Sequence, residues 1–370
     1  MSSAAAAVRK FQIQNNHITL SEEEIAKSNF KDFIPSWEQN KTYPPLEFFQ
    51  HHDRGTFADP ELPNLLPKDG DYTKKSITPK LGTEIDGVQL SQLTDEGKDE
   101  LALLVAQRGL LVFRNQDFTD HGPKFAVEFG KYYGPLHIHP VSGAPIGYPE
   151  LHIAYRNKDY ANQGNYFKNK TNSIAWHTDV SYELQPPGIT FFSVLEGPES
   201  GGDTAFADTI EAYERLSPEF KGILDGLYVE HSSVEQASFV ENSGPIKSRR
   251  DPVKNIHPLI RVHPVTGKKI LYVNPQFSRR IIGFKEEESK ALLAFLYDHI
   301  ANSHDLQARA HYEANTVVIW DNRRVVHTAV NDWDDTDATR IAVRITPQAE
   351  RPIADLKDLN KEDKNRLADA

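Results

Sequence analysis

From Trp176 onward the chain is cut into short runs rich in Val, Ile, Phe and Thr, and this restricts its fold more than any other feature. GITFFSVLEG, GDTAFADT, LYVEHSSV, LIRVHPVTGKKILYVN, TVVIWDN, RVVHTAV and TRIAVRITP each have the length and composition of a strand. β-Branched and aromatic side chains pack well on a pleated surface, and turn residues between the runs keep each one short. PVTGKKI carries a hairpin turn. Many short strands with turn punctuation fit a sandwich or barrel rather than a parallel sheet. Two interleaved stretches, TIEAYERLSPEFKGILDGL and KEEESKALLAFLYDHIANS, have helical spacing and are expected to pack outside. The expected class is mainly β with flanking helices.

Upstream the texture differs. Residues 1–76 are polar and broken by Pro and Gly, with isolated aromatics at Trp37, Phe48 and Phe49. They read as an N-terminal arm packing on a core. From Ile77, ITPKLGTEIDGVQL alternates like a short strand with turns. DEGKDELALLVAQRG has helical spacing and ends at Gly109, a C-cap candidate. LLVFRNQ reads as a buried strand and HGPKFAVEFGKYYG as a second helix. Residues 77–352 are taken as one domain and 353–370 as a polar tail. EQASFVENSGPIKSRRDPVKN, near 235–255, has no clear period and reads as a long surface loop. No stretch has signal-peptide character or approaches the ~20 apolar residues that span a bilayer. A cytoplasmic protein without a membrane partner is expected.

Composition restricts the chemistry. The chain has no cysteine, which excludes disulfides, thiolate metal sites, iron–sulfur clusters and cysteine nucleophiles. Any metal must be held by His, Asp and Glu, donors that suit Fe(II), Mn(II) or Zn(II). A formal charge of −11 makes nucleic acid a poor partner, because its phosphates are repelled.

In AWHTDVSYE, His177 and Asp179 lie two apart on an extended segment, so they point to the same side. One neutral imidazole and one carboxylate can then reach one ion. The pattern is not selective by itself, since His51-His52-Asp53 offers it too; that copy sits in the polar arm and reads as solvated surface. A second His would complete a facial triad with open positions for a co-substrate and oxygen. Downstream candidates are His231, His257, His263, His299, His304, His311 and His327. His299 and His304 belong to a charged helical stretch, while His257 and His263 suit structural roles. His327 follows a β-type run and a polar turn, which can return a side chain toward the core. TRIAVRITP alternates strictly, so Arg340, Ala342 and Arg344 share one face and Ile341, Val343 and Ile345 the other. If the apolar face packs on the core, the arginines meet either solvent, as on an edge strand, or a cavity. Two inward arginines would each require an anion, and the planar guanidinium suits a carboxylate or sulfonate.

WHTDVSYE, PESGGDTAFADT, VVIWDNRRVVHTAV and RIAVRITPQAERP together resemble the taurine dioxygenase family of Fe(II)/2-oxoglutarate oxygenases. The similarity runs from Ile77 to Pro352 and includes ITPKLGTEIDGVQL, ELALLVAQRGLLVFRNQ and GPLHIHP. It extends into the arm for the fungal sulfonate-oxidising branch of that family. The resemblance implies a double-stranded β-helix, or jelly roll. It implies Fe(II) as cofactor on His177, Asp179 and His327, with 2-oxoglutarate and O2 as co-substrates. It matches Arg340 and Thr204 to the residues that hold 2-oxoglutarate. His139, Phe277 and Arg344 match residues around the substrate. The implied reaction hydroxylates the carbon next to sulfur in a small anionic organosulfonate. Sulfite and an aldehyde leave, with succinate and CO2 as co-products, an outcome suited to sulfur acquisition. The implied assembly is a homo-oligomer. Two departures stand out: Ser142 replaces a family tyrosine after HIHP, and the interval from His327 to Arg340 is longer than in the bacterial taurine enzyme. Both leave room for another sulfonate. Alternatives are the same iron site acting on an alkyl sulfate, aryloxyacetate or purine, or a non-catalytic cupin-like binding protein.

Overall fold

Strand alternation sorts side chains to the two faces of a seven-stranded sheet in the computed structural model, which describes residues 11–157, 170–243, 246–333 and 337–362. In spatial order its strands are Thr73–Ser76, Thr83–Asp86, Leu110–Phe113, Val317–Asp321, Ile189–Glu196, Arg340–Ile345 and His152–Arg156. All pairs are antiparallel except Thr83–Asp86 with Leu110–Phe113. One face sends Leu111, Phe113, Phe191, Ile319, Ile341, Val343 and Ile345 into a core closed by helices Asp95–Arg108 and Gly122–Lys131 and by the arm. The other face sends Leu110, Val112, Val318 and Trp320 toward a smaller sheet, in which Thr204–Asp208 lies between Gln307–Ala310 and Val325–Ala329. Burying each such large apolar side chain stabilises the fold by ~1.5–3 kcal/mol. Mainly β with few helices is therefore the observed class.

The outer helix Asp95–Arg108 forms where its sequence starts and stops it. The Thr94 hydroxyl accepts from the Gly97 amide at 3.2 Å, which satisfies one of the first-turn donors. Gly109 ends it at φ 71°, where a Cβ would also stand 2.9 Å from Leu81. The loop expected near 235–255 is in part a helix, Val234–Ser243. Its polar residues mask any apolar stripe, so no helical period shows in the sequence. Residues 244 and 245 of that stretch lie outside the described ones, and Arg249 and Arg250 after them are buried.

The arm is integral to the body over its described length. Phe33, Trp37, Leu62, Leu65 and Leu66 are buried. The expectation of solvated His51 and Asp53 is wrong: each is only 7% exposed. The reason is Arg323, a buried cation that ion-pairs with Asp53 of the arm and with Asp321 and Glu350 of the core. A solvated Asp53 would leave that guanidinium short of one counter-charge. The arm also exchanges hydrogen bonds with the end of the chain. The His51 amide donates to Asn360 Oδ1 at 2.8 Å, and Asn360 Nδ2 donates to the His51 carbonyl at 2.9 Å. Residues 1–10 of the arm and 363–370 of the tail lie outside the described residues.

Candidate metal and anion site

Between the two sheets, residues 177 and 327 form an antiparallel bridge. The His177 amide donates to the His327 carbonyl at 3.0 Å and the His327 amide to the His177 carbonyl at 2.8 Å. The two imidazoles thereby face one another, with ring centroids 4.2 Å apart. Asp179, two residues along, joins them: its Oδ1 lies 3.8 Å from His177 Nε2 and 3.6 Å from His327 Nε2. One ligand atom from each residue falls within 4.8 Å of the others. His304 is exposed, and the other five histidine candidates are engaged elsewhere. His231 bonds Ser181, His257 the Glu183 carbonyl, His263 Asp321, His299 the Ala212 carbonyl and His311 Asp203.

The donor set fits a divalent ion. His177 Nδ1 donates to the Ala175 carbonyl at 2.8 Å, so its proton is on Nδ1 and Nε2 keeps its lone pair. Burial holds the His177 imidazole below its ordinary range and lowers His327 to about 3, so both are neutral. Burial pushes the Asp179 carboxyl up, but the polar and charged neighbours led by the Arg344 guanidinium outweigh it, and the group stays ionised below the usual carboxylate range. The Nε2 atoms of both imidazoles and the anionic Oδ1 of Asp179 converge in a buried space, a donor set that a divalent cation would satisfy. Two imidazoles and one carboxylate form the facial set of non-haem Fe(II) sites.

Asn322 fixes the carboxylate arm of this set. Its Oδ1 accepts from the Asp179 amide at 2.9 Å, and its Nδ2 donates to the Asp179 carbonyl at 3.1 Å and the Pro187 carbonyl at 3.2 Å. The next residue, Val180, has φ 42°, an unfavourable conformation for a β-branched side chain that costs ~1–3 kcal/mol. Thr190 donates to Asp179 Oδ2 at 3.3 Å. Asn322 carried no legible signal, because its partner lies 143 residues away.

Both strand arginines face inward. Arg340 is buried between Phe192 and Tyr312, whose ring centroids lie 5.4 and 5.5 Å from the guanidinium carbon. Its Nη2 donates weakly to the Gly202 carbonyl at 3.4 Å, and among the described residues no carboxylate is within ion-pair range. Burial lowers its pKa to about 10, an unusual value for arginine. The Thr204 and Tyr312 hydroxyls are hydrogen-bonded at 2.8 Å beside it. Tyr312 is a further site residue that no sequence pattern marked. Arg344 binds Asp179 Oδ1 through Nη1 and His152 Nδ1 through Nη2. His139 is buried, and its Nδ1 accepts from the Val141 amide, the Ser142 amide and the Ser142 hydroxyl. The Ser142 amide and hydroxyl thus help to fix the tautomer of His139. Arg249 donates to the His139 and Ser142 carbonyls and holds that segment down. Phe277 is buried, with its ring centroid 6.3 Å from that of His177 and 5.0 Å from that of Tyr182.

Comparison with known proteins identifies relatives of this chain. The family model "Taurine catabolism dioxygenase TauD, TfdA family" matches residues 73–346. The chain is 56% identical over 338 residues to the alpha-ketoglutarate-dependent sulfonate dioxygenase of Saccharomyces cerevisiae, covering 91% of this chain and 82% of that protein. It is 42% identical over 340 residues to the alpha-ketoglutarate-dependent dioxygenase cnsP of Penicillium expansum, covering 91% and 90%. Among solved structures, a taurine dioxygenase from Burkholderia xenovorans superposes with TM-score 0.62 at 30% identity, covering 76% of this chain and 90% of that one. The chain belongs to the TauD/TfdA family and is a dioxygenase dependent on Fe(II), alpha-ketoglutarate (2-oxoglutarate) and O2.

Proposed function

We propose that this member of the family hydroxylates the carbon next to sulfur in a small organosulfonate, releasing sulfite and an aldehyde, with succinate and CO2 as co-products. The observation that carries the reading is the pair of inward arginines on one strand beside the His177, Asp179 and His327 cluster. Arg340, which has no carboxylate within ion-pair range among the described residues, is suited to an anion brought in by a ligand. Arg344 reaches Asp179 itself, so an anion held there lies next to the metal ligands. The sulfonate in the name of the yeast relative fits that second anion.

In this reading His177, Asp179 and His327 hold Fe(II) in a double-stranded β-helix of residues 77–352, with the 1–76 arm packed on it and the protein working in the cytoplasm. No helix among the described residues is long and apolar enough to cross a membrane. Fe(II) with bound 2-oxoglutarate supplies the oxidation of a C–H bond by O2, coupled to loss of CO2. Arg340 pairs with the far carboxylate of 2-oxoglutarate, and the Thr204 hydroxyl steadies it. Arg344 pairs with the sulfonate. Nδ1 of His139 is committed as an acceptor, which leaves Nε2–H to donate to the same anion. Phe277 packs against the carbon chain and keeps water from the reacting carbon. Catalysis by these residues is positioning: they aim one C–H bond at the metal.

The test is a panel of taurine, isethionate and bulkier sulfonates, with sulfite release measured against succinate formed. Alkyl sulfates, aryloxyacetates and purines form the comparison arms. One sulfite per succinate from a sulfonate is expected. Arg344→Ala should weaken sulfonate binding by ~2–5 kcal/mol, while slow uncoupled decay of 2-oxoglutarate persists. Unchanged sulfonate affinity in that variant would overturn the assignment.

A further inference from the structure

We propose that His152 is a positioning residue for the substrate end of the site, holding Arg344 so that its guanidinium is presented to the anion. The inference rests on the reading of Arg344 as the sulfonate-binding group. His152 lies on the edge strand His152–Arg156, directly across from Arg344 in the antiparallel register. Cross-strand partners stand ~4.5–5.5 Å apart at Cβ and interact side chain to side chain. Here the contact is specific: His152 Nδ1 accepts from Arg344 Nη2 at 2.6 Å. Arg344 is thereby held at two corners, by Asp179 at Nη1 and His152 at Nη2. Its Nε is buried and has no hydrogen-bond partner among the described residues.

The acceptor role requires a neutral imidazole with its proton on Nε2. Burial and the neighbouring Arg344 charge both favour the neutral form. His139 lies against His152, ring centroids 4.8 Å apart, and its Nδ1 is likewise an acceptor. Two imidazoles in the same tautomer thus pack together, one of them bonded to Arg344. An arginine side chain carries about 2 kcal/mol of rotamer entropy. Holding it before the ligand arrives removes part of that cost from binding.

The variants that test this are His152→Leu, which keeps apolar bulk and removes the acceptor, and His152→Gln, whose amide oxygen can accept from Arg344. Butane-1-sulfonate would be titrated calorimetrically, without oxygen, into protein holding Fe(II) and 2-oxoglutarate, and steady-state kinetics run in parallel. His152→Leu should raise both Kd and KM for the sulfonate about tenfold while kcat changes less than twofold. KM for 2-oxoglutarate should not move, and His152→Gln should recover most of the affinity. If Arg344→Ala weakens binding and His152→Leu does not, the positioning role falls and the sulfonate reading stands. If His152→Gln is as impaired as His152→Leu, the residue acts through packing and the inference falls. If Arg344→Ala leaves binding unchanged, both fall together.

Discussion

Lowering the pH from 7.5 to 5.5 should markedly reduce the folding stability of the metal-free protein. The cause is a set of buried neutral histidines. Outside the proposed metal ligands, His51, His139, His152, His231, His257 and His263 are all held below the usual histidine range, chiefly by burial. In the unfolded chain each takes a proton below about pH 6.5, while in the folded protein burial shifts that protonation to lower pH. The unfolded state then binds more protons, so stability falls as pH falls, and the loss stops only below the folded pKa. A histidine that stays neutral when folded costs about 1.4 kcal/mol at pH 5.5. Six of them give a ceiling of about 8 kcal/mol, against a total stability of ~5–15 kcal/mol for a typical domain. The buried carboxylates Asp53 and Asp321 are held low, and their contribution is lost only as pH falls below about 4, outside this window. The assay is urea unfolding of chelator-treated protein at both pH values. His231, lowered to about 3, supplies the control. His231→Gln removes one titrating group and should flatten the pH dependence by about 1.4 kcal/mol, whatever it does to stability at pH 7.5. A wild-type protein equally stable at both pH values, or a variant with an unchanged slope, would refute the reasoning.

Arg323→Met should destabilise the fold by about 3–5 kcal/mol in urea unfolding, because Asp53, Asp321 and Glu350 would share a buried space with their central cation gone. Part of that loss should return on acidification as the carboxylates protonate. Asn322→Ala should weaken Fe(II) binding about tenfold, read by anaerobic metal titration, because the Asp179 backbone loses its two side-chain contacts. Gly134→Ala should cost at least ~1–3 kcal/mol, read as a drop in Tm, since its Cβ would stand 2.3 Å from the Gln348 carbonyl oxygen.

Residues near one another in the chain were legible where backbone period determines which face a side chain takes. The strict alternation of 340–345 put both arginines on one face, and Ile341, Val343 and Ile345 are indeed in the core opposite them. The helix closing at Gly109 was legible because its cap chemistry lies within the helix ends. His177 and Asp179 share a side because extended backbone has a period of two residues. The same period gave His51 and Asp53 the same spacing, and the polar setting that distinguished them in the sequence did not foretell their burial.

Tertiary structure separated them. The second pair lies beside Glu350 around the buried Arg323, which binds Asp53, Asp321 and Glu350 together. The first pair meets His327, brought across by an antiparallel bridge between residues 150 positions apart. Asn322, Tyr312 and His152 joined the site in the same way, each through a partner far off in sequence. Short-range order follows from the torsions of a few residues. A buried charge has to find its counter-ion wherever the folded chain delivers one, and only the packed sheets decide where that is.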